Sequence, residues 1–182
     1  YTQGNLNNHI GVPLTLLNIT KEHEFAVVEM GANHVGEIET LCAIAEPDFG
    51  LITNIGKAHL EGFGGVEGVR KGKGELYDYL RNHKGTAFVM WDYDYLQEMS
   101  KGISGIIKYG TKDAHVIGKV SKNEPWLEIE IIQGMDDRFI HTKLVGDYNL
   151  PNILAAVTVG KTFKVTEEKI KSSIENYEPT NS

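Results

Sequence analysis

Apolar positions along this chain come first as buried-looking runs separated by helical stripes, then as short alternating runs, and finally as helices again. Phe25-Ala-Val-Val-Glu29-Met and Phe49 to Thr53 are apolar runs bounded by polar and glycine turns, which predicts strands at 25–30 and 49–53. Helices are expected over 13–17, where Pro13 opens an apolar stretch, and over 36–45, where the apolar residues fall between Ile38 and Ala45. From Gly65 to Leu80, Val66, Val69, Leu76, Tyr77 and Leu80 form one stripe at helical spacing, giving a helix over 65–81. Strands at 86–90 and 105–109 and a helix at 93–101 continue the alternation, which implies right-handed parallel crossovers. The period then changes. Val116 to Val120, Trp126 to Ile132 and Phe139 to Val145 are close-spaced, the second alternating as Leu127, Ile129, Ile131. Asn123-Glu-Pro125 and Gly134-Met-Asp-Asp separate these runs as turns, so they read as an antiparallel meander. Helices at 151–163 and 166–177 follow, with Pro151 suited to a first turn and Thr166-Glu-Glu-Lys to an N-terminal cap. The fold class expected is α/β, a mostly parallel sheet flanked by helices with a small antiparallel meander.

Composition narrows the function. The chain has 182 residues, enough for one domain with a sizeable core. Its net charge of -7 argues against a general nucleic-acid binder. No apolar run approaches the ~20 residues a membrane span needs. The single cysteine, Cys42, excludes an intrachain disulfide and suits a reducing cytoplasm. A monomer is expected. The ends read as cut, with a polar loop first and a stop directly after a helix. The sequence contains no Gly-x-x-x-x-Gly-Lys-[Ser/Thr] loop for cradling phosphates.

Candidate chemistry gathers beyond two predicted strands, where ligands bind in parallel α/β sheets. Glu29 ends the first strand before the glycine loop Gly31-Ala-Asn33-His34. Asn54-Ile-Gly-Lys-Ala-His59-Leu-Glu61-Gly-Phe-Gly-Gly leaves the second. Glu29 and His59 are therefore expected within ~8 Å of each other, at one metal-dependent site on the sheet edge. Lys73 stands four after Val69 and four before Tyr77, on the apolar stripe, whereas Lys71 points away. A buried lysine disfavours its ammonium form and suits a base, nucleophile or modified ligand. The alternative is a packed stem with a head that snorkels to water. Glu61 is a weaker candidate, and Glu75 reads as structural.

Taken together, Thr2-x-Gly4-Asn5-Leu-Asn7-Asn8, Val28-Glu29-Met-Gly-Ala-Asn33-His34-x-Gly-Glu, Asn54-Ile-x-x-Ala-His59-Leu-Glu-Gly-Phe-Gly, Lys73-Gly-Glu and Gly146-Asp-Tyr-Asn149-Leu-Pro-Asn152 resemble the Mur ligases. Within that family they are most similar to the branch that adds D-Ala-D-Ala to UDP-N-acetylmuramoyl-tripeptide. The resemblance covers nearly the whole chain as a P-loop-NTPase-like central ATP-binding domain over 1–182. It implies a phosphate loop before Tyr1 and a further domain after Ser182. It also implies ATP and Mg²⁺ as cofactors, with Glu29, His59 and a carbamylated Lys73 as metal ligands and His59 and Lys73 in catalysis. Asn149 and Asn152 would hold the adenine, and Asn5, Asn7, Asn8, Asn33 and His34 the muramoyl-peptide substrate. Asparagines also serve turns and helix caps, so that reading stays open for each. One departure stands out: where the family usually has Asn-Ala-Asp after the third strand, this chain has Trp91-Asp92-Tyr93.

Two kinds of alternative remain. One is another ligase of the superfamily, folylpolyglutamate-synthetase-like or tripeptide-adding. The other is a non-catalytic nucleotide- or sugar-binding module. A metal-dependent hydrolase built on His59 and Glu61 lacks a second histidine at ligand spacing.

Overall fold

The computed structural model describes residues 2, 6–56 and 60–179. The chain divides into two compact units, residues 1–87 with 102–105, and residues 88–101 with 106–182.

The first unit contains α1 (Gly11–Leu17), α2 (Glu37–Ala45), β1 (Phe49–Leu51), α3 (Leu60–Phe63) and α4 (Val66–Asn82). Val12, Ile38, Leu41 and Cys42 form its buried cluster, with Val28, Met30, Leu76 and Tyr79 packed against it. Cys42 is fully buried, and burial first, then the charge of Glu75, pushes its thiol up to about 12. It is packing, not a nucleophile. On α4 the stripe reads largely as its spacing predicts, with Val69, Tyr77 and Leu80 buried. Val66 is the exception at 51% exposure, because it opens the helix directly after the Gly64-Gly65 turn and lies beyond the packed face. Gly72 lies on that face because the Phe63 ring occupies the space a Cβ would need.

The strand expected at 25–30 does not form, and the segment carries no regular secondary structure. A strand needs a ladder partner, and none runs beside it among the described residues. The segment bonds instead to single residues, Thr2 N–H to Val27 O at 3.2 Å and Gly31 N–H to Asn7 O at 2.8 Å. Phe25 and Val27 stay 61% and 67% exposed.

The second unit contains most of β2 (Thr86–Met90), then α5 (Asp94–Met99), most of β3 (Gly105–Gly110), β4 (Val116–Lys122), β5 (Glu128–Gln133), β6 (Phe139–His141), α6 (Leu150–Thr162) and α7 (Glu167–Glu175). Among the described residues, six strands make one sheet in the order β1-β2-β3-β4-β5-β6. β3 and β4 pair in parallel, while β4–β5 and β5–β6 are antiparallel, the meander that the alternation predicts. Ile129, Ile131 and Ile140 are buried, α6 packs against β4, and its Leu154 and Val157 are buried too, while α7 packs against β6. Gly118 admits Leu154 against β4, since a Cβ there would sit 2.7 Å from its methyl. Thr166 caps α7 by accepting from Lys169 N–H at 3.4 Å, and Pro151 stands in the first turn of α6.

Candidate functional site

Glu29 is fixed by the loop that precedes α1. Asn7 donates Nδ2–H to Glu29 Oε1 at 2.9 Å, and Glu29 N–H donates to Thr2 Oγ1 at 2.9 Å. The Asn7 amide fills the space a Cβ on Gly31 would take, 2.8 Å away, so the glycine after Glu29-Met is needed for this approach. Glu29 is exposed, and its Oε2 carries no further partner among the described residues. Asn8, three residues before α1, spends its Oδ1 on the N–H groups of Ile10 and Gly11, both at 3.0 Å. That is a helix-start role for its oxygen.

The glycine loop after Glu29 is ordered by Glu37, in the first turn of α2. Its Oε2 accepts from Asn33 N–H at 2.7 Å and His34 N–H at 3.2 Å, and its Oε1 lies 3.2 Å from His34 Nδ1. The Asn33 N–H above all holds the Glu37 carboxyl below its ordinary range, with desolvation opposing. Asn33 and His34 keep exposed side chains. Gly62 of α3 backs onto this loop, where a Cβ would meet Asn33 O at 2.5 Å and His34 Nε2 at 3.8 Å. The block beginning at Asn54 therefore returns to the block beginning at Val28.

Lys73 is half-buried and donates Nζ–H to Asn54 O at 2.7 Å, just beyond β1, while Lys71 is exposed. Burial lowers the Lys73 pKa. Glu75, one turn-step on, accepts from Gly36 N–H at 2.6 Å and Glu39 N–H at 2.9 Å, so it caps the N-terminus of α2 from another helix. Sequence spacing reached Lys73 but not Glu37 or the Asn7–Glu29 pair; the one available signal was an acid in the first turn of a helix. His59 and Asn5 lie outside the described residues, as does the Glu61 side chain, and the expected Glu29–His59 approach with them.

In the second unit Asn149 and Asn152 flank the start of α6. Asn149 is half-buried and donates to Val145 O at 3.0 Å, while Asn152 is exposed and donates to Asn149 Oδ1 at 3.4 Å. Beyond β2, the Lys108 ammonium lies 3.7 Å above the Trp91 ring, a cation–π contact. Asp92 Oδ2 accepts from Thr111 N–H at 2.8 Å, and its Oδ1 is buried without a partner.

Among the described residues no group of three or more His, Cys, Asp or Glu could hold a metal ion. A hard divalent cation does not require such a cage, because Mg²⁺ keeps several waters and takes one or two carboxylates beside substrate phosphates. The uncommitted oxygen of Glu29 fits that donor type. Among the described residues, no helix is long and apolar enough to cross a membrane.

Comparisons with known proteins point the same way. The family model "Mur ligase middle domain" matches residues 1–160. The UDP-N-acetylmuramoyl-tripeptide--D-alanyl-D-alanine ligase of Haemophilus influenzae is 36% identical over 176 residues, covering 96% of this chain and 38% of that protein. The Bacillus subtilis ligase of the same name is 34% identical, covering 92% of this chain and 36% of its own length. A crystal structure of MurF from Acinetobacter baumannii superposes with a TM-score of 0.87 at 32% identity, covering 98% of this chain and 40% of that one. MurF from Thermotoga maritima, solved in complex with ADP, superposes at 0.79 with 28% identity, covering 98% and 42%. The chain thus spans roughly two fifths of the relatives it matches.

Proposed function

The chain belongs to the Mur ligase family by its middle domain, and from that membership we propose that it is the ATP-handling core of a ligase joining D-Ala-D-Ala to UDP-N-acetylmuramoyl-tripeptide, a peptidoglycan-precursor enzyme. The observation that carries this reading is similarity across nearly the full chain to ligases of that one name, above 30% identity. ATP and a UDP-linked precursor are both cytoplasmic species, so a cytoplasmic location follows from the same reading.

In the reaction proposed, a peptide carboxylate oxygen attacks the terminal phosphorus of ATP. The bond from that phosphorus to ADP breaks, and an acyl phosphate forms. The amine of D-Ala-D-Ala then attacks the acyl carbon, the carbon–oxygen bond breaks, phosphate leaves, and the amine proton passes to solvent or a base. Mg²⁺, when bound, supplies charge neutralisation for the phosphates. Glu29 would hold it, with His59 the ligand that family resemblance adds. Asn7 contributes by tying Glu29 Oε1, which fixes the carboxylate and leaves Oε2 forward.

Lys73 is the candidate for carbamylation. Its burial favours the neutral amine, which adds to CO₂ and releases a proton to give a carbamate. The carbamate nitrogen retains one N–H, so the bond to Asn54 O survives the change. The resulting anion offers oxygens to Mg²⁺, which would offset its burial.

Labelled substrate tests the acyl phosphate. With ¹⁸O in the acceptor carboxylate of UDP-N-acetylmuramoyl-tripeptide, the full-length ligase should release phosphate carrying one ¹⁸O. Unlabelled phosphate alongside normal peptide-bond formation would overturn the intermediate.

A further inference from the structure

Aminolysis of an acyl phosphate leaves an extra proton on nitrogen, and none of the roles above takes it. The glycine loop after Glu29 carries an imidazole that is both oriented and open. Glu37 Oε1 lies 3.2 Å from His34 Nδ1, while Glu37 Oε2 takes the N–H groups of Asn33 and His34. The Asn33 N–H above all holds the Glu37 carboxyl below its ordinary range, so it is ionised at neutral pH. An ionised carboxylate only accepts, so Nδ1 carries the proton and Nε2 keeps a lone pair for another. The His34 side chain is 66% exposed, and Nε2 has no hydrogen-bond partner among the described residues.

The loop is fixed from two helices. Glu37 holds it from α2, and Glu75 of α4 accepts from Gly36 N–H at 2.6 Å. Gly62 of α3 approaches it from a third side. Its missing Cβ would stand 3.8 Å from His34 Nε2, so a glycine there leaves the nitrogen uncrowded. Glu29 precedes His34 by five residues on the same loop, and Lys73 precedes Glu75 by two on α4. The imidazole therefore shares its framework with the groups proposed to handle metal and phosphate.

Resting on the acyl-phosphate reading, we infer that His34 is the general base of the second step, with Glu37 as its positioning residue. The free amine of D-Ala-D-Ala attacks the acyl carbon, giving a tetrahedral centre whose nitrogen carries the extra proton. His34 Nε2 takes that proton as the carbon–oxygen bond to phosphate breaks, and the imidazolium then releases it to water. Glu37 stabilises the imidazolium through Nδ1–H. A substrate-holding role, which family resemblance gives this histidine, would act on KM instead.

Step-resolved assays of the full-length ligase separate the two. Without D-Ala-D-Ala, hydroxylamine captures the acyl phosphate as a hydroxamate; it is a neutral nucleophile at assay pH and needs no protein base. His34→Ala and His34→Gln should form ADP and hydroxamate at the wild-type rate. Both should make pentapeptide about a hundredfold more slowly, as expected for one lost general base, with KM for UDP-N-acetylmuramoyl-tripeptide unchanged. Added imidazole should restore part of the His34→Ala rate. Glu37→Gln should slow pentapeptide formation less, again without touching hydroxamate formation. A raised KM for the tripeptide with kcat unchanged, or equal slowing of both steps, would overturn the assignment alone. A wild-type ligase that yields no hydroxamate would bring down the acyl-phosphate reading and this assignment together.

Discussion

Lys73 and Lys71 stand on the same helix and meet different surroundings. Lys71 is solvated, whereas Lys73 is half-buried with its head on the Asn54 carbonyl. Helical periodicity told them apart, because a 3.6-residue repeat puts residue 73 in line with Val69 and Tyr77. In the full-length ligase, Lys73→Ala should abolish most turnover, and a short carboxylate or bicarbonate should restore part of it by supplying the missing oxygens. Lys71→Ala should be nearly silent. Initial-rate measurements on the two variants check this, and a damaging Lys71→Ala beside a silent Lys73→Ala would sink the assignment. The asparagines were less legible than the lysine. Their side chains serve backbone and ligands with the same atoms, so only the structure shows that Asn8 starts a helix while Asn7 holds Glu29.

At the scale of elements, α2 and α4 are joined by more than apolar contact. Glu75 donates no proton and packs no core, yet its two oxygens take N–H groups from the open end of α2. Removing it leaves those donors to water or unpaired and removes an anion from a helix N-terminus. Glu75→Ala should therefore lower stability by roughly 1 kcal/mol, the usual cost of a lost cap, and Glu75→Gln by less. Thermal or urea melts of the chain check it; unchanged melts would show that the cap is dispensable. The sequence carried no sign of this link, since residues 36 and 75 meet only through the fold. The opposite error occurred at 25–30, where an apolar run satisfied the pattern of a strand. Side-chain pattern is local, whereas a ladder depends on a neighbour, and Thr2 and Asn7 supply only isolated bonds there.

Across the whole molecule, helices α2, α4 and α6 and the β4–β5–β6 meander were readable because long periodic stretches report one buried face. Convergence of the glycine loop at 31–36 with α3 was not, because it rests on Gly62 allowing one backbone to approach another. The ligase proposed above takes a dipeptide as its amine substrate. Mass spectrometry of products from the full-length enzyme, given ATP, UDP-N-acetylmuramoyl-tripeptide and either D-Ala-D-Ala or single amino acids, tests that claim most directly. UDP-N-acetylmuramoyl-pentapeptide is the product expected with D-Ala-D-Ala, formed with one ADP and one phosphate per product. Ligation of a single amino acid in preference to the dipeptide, or no ATP-dependent product from any acceptor, would contradict it.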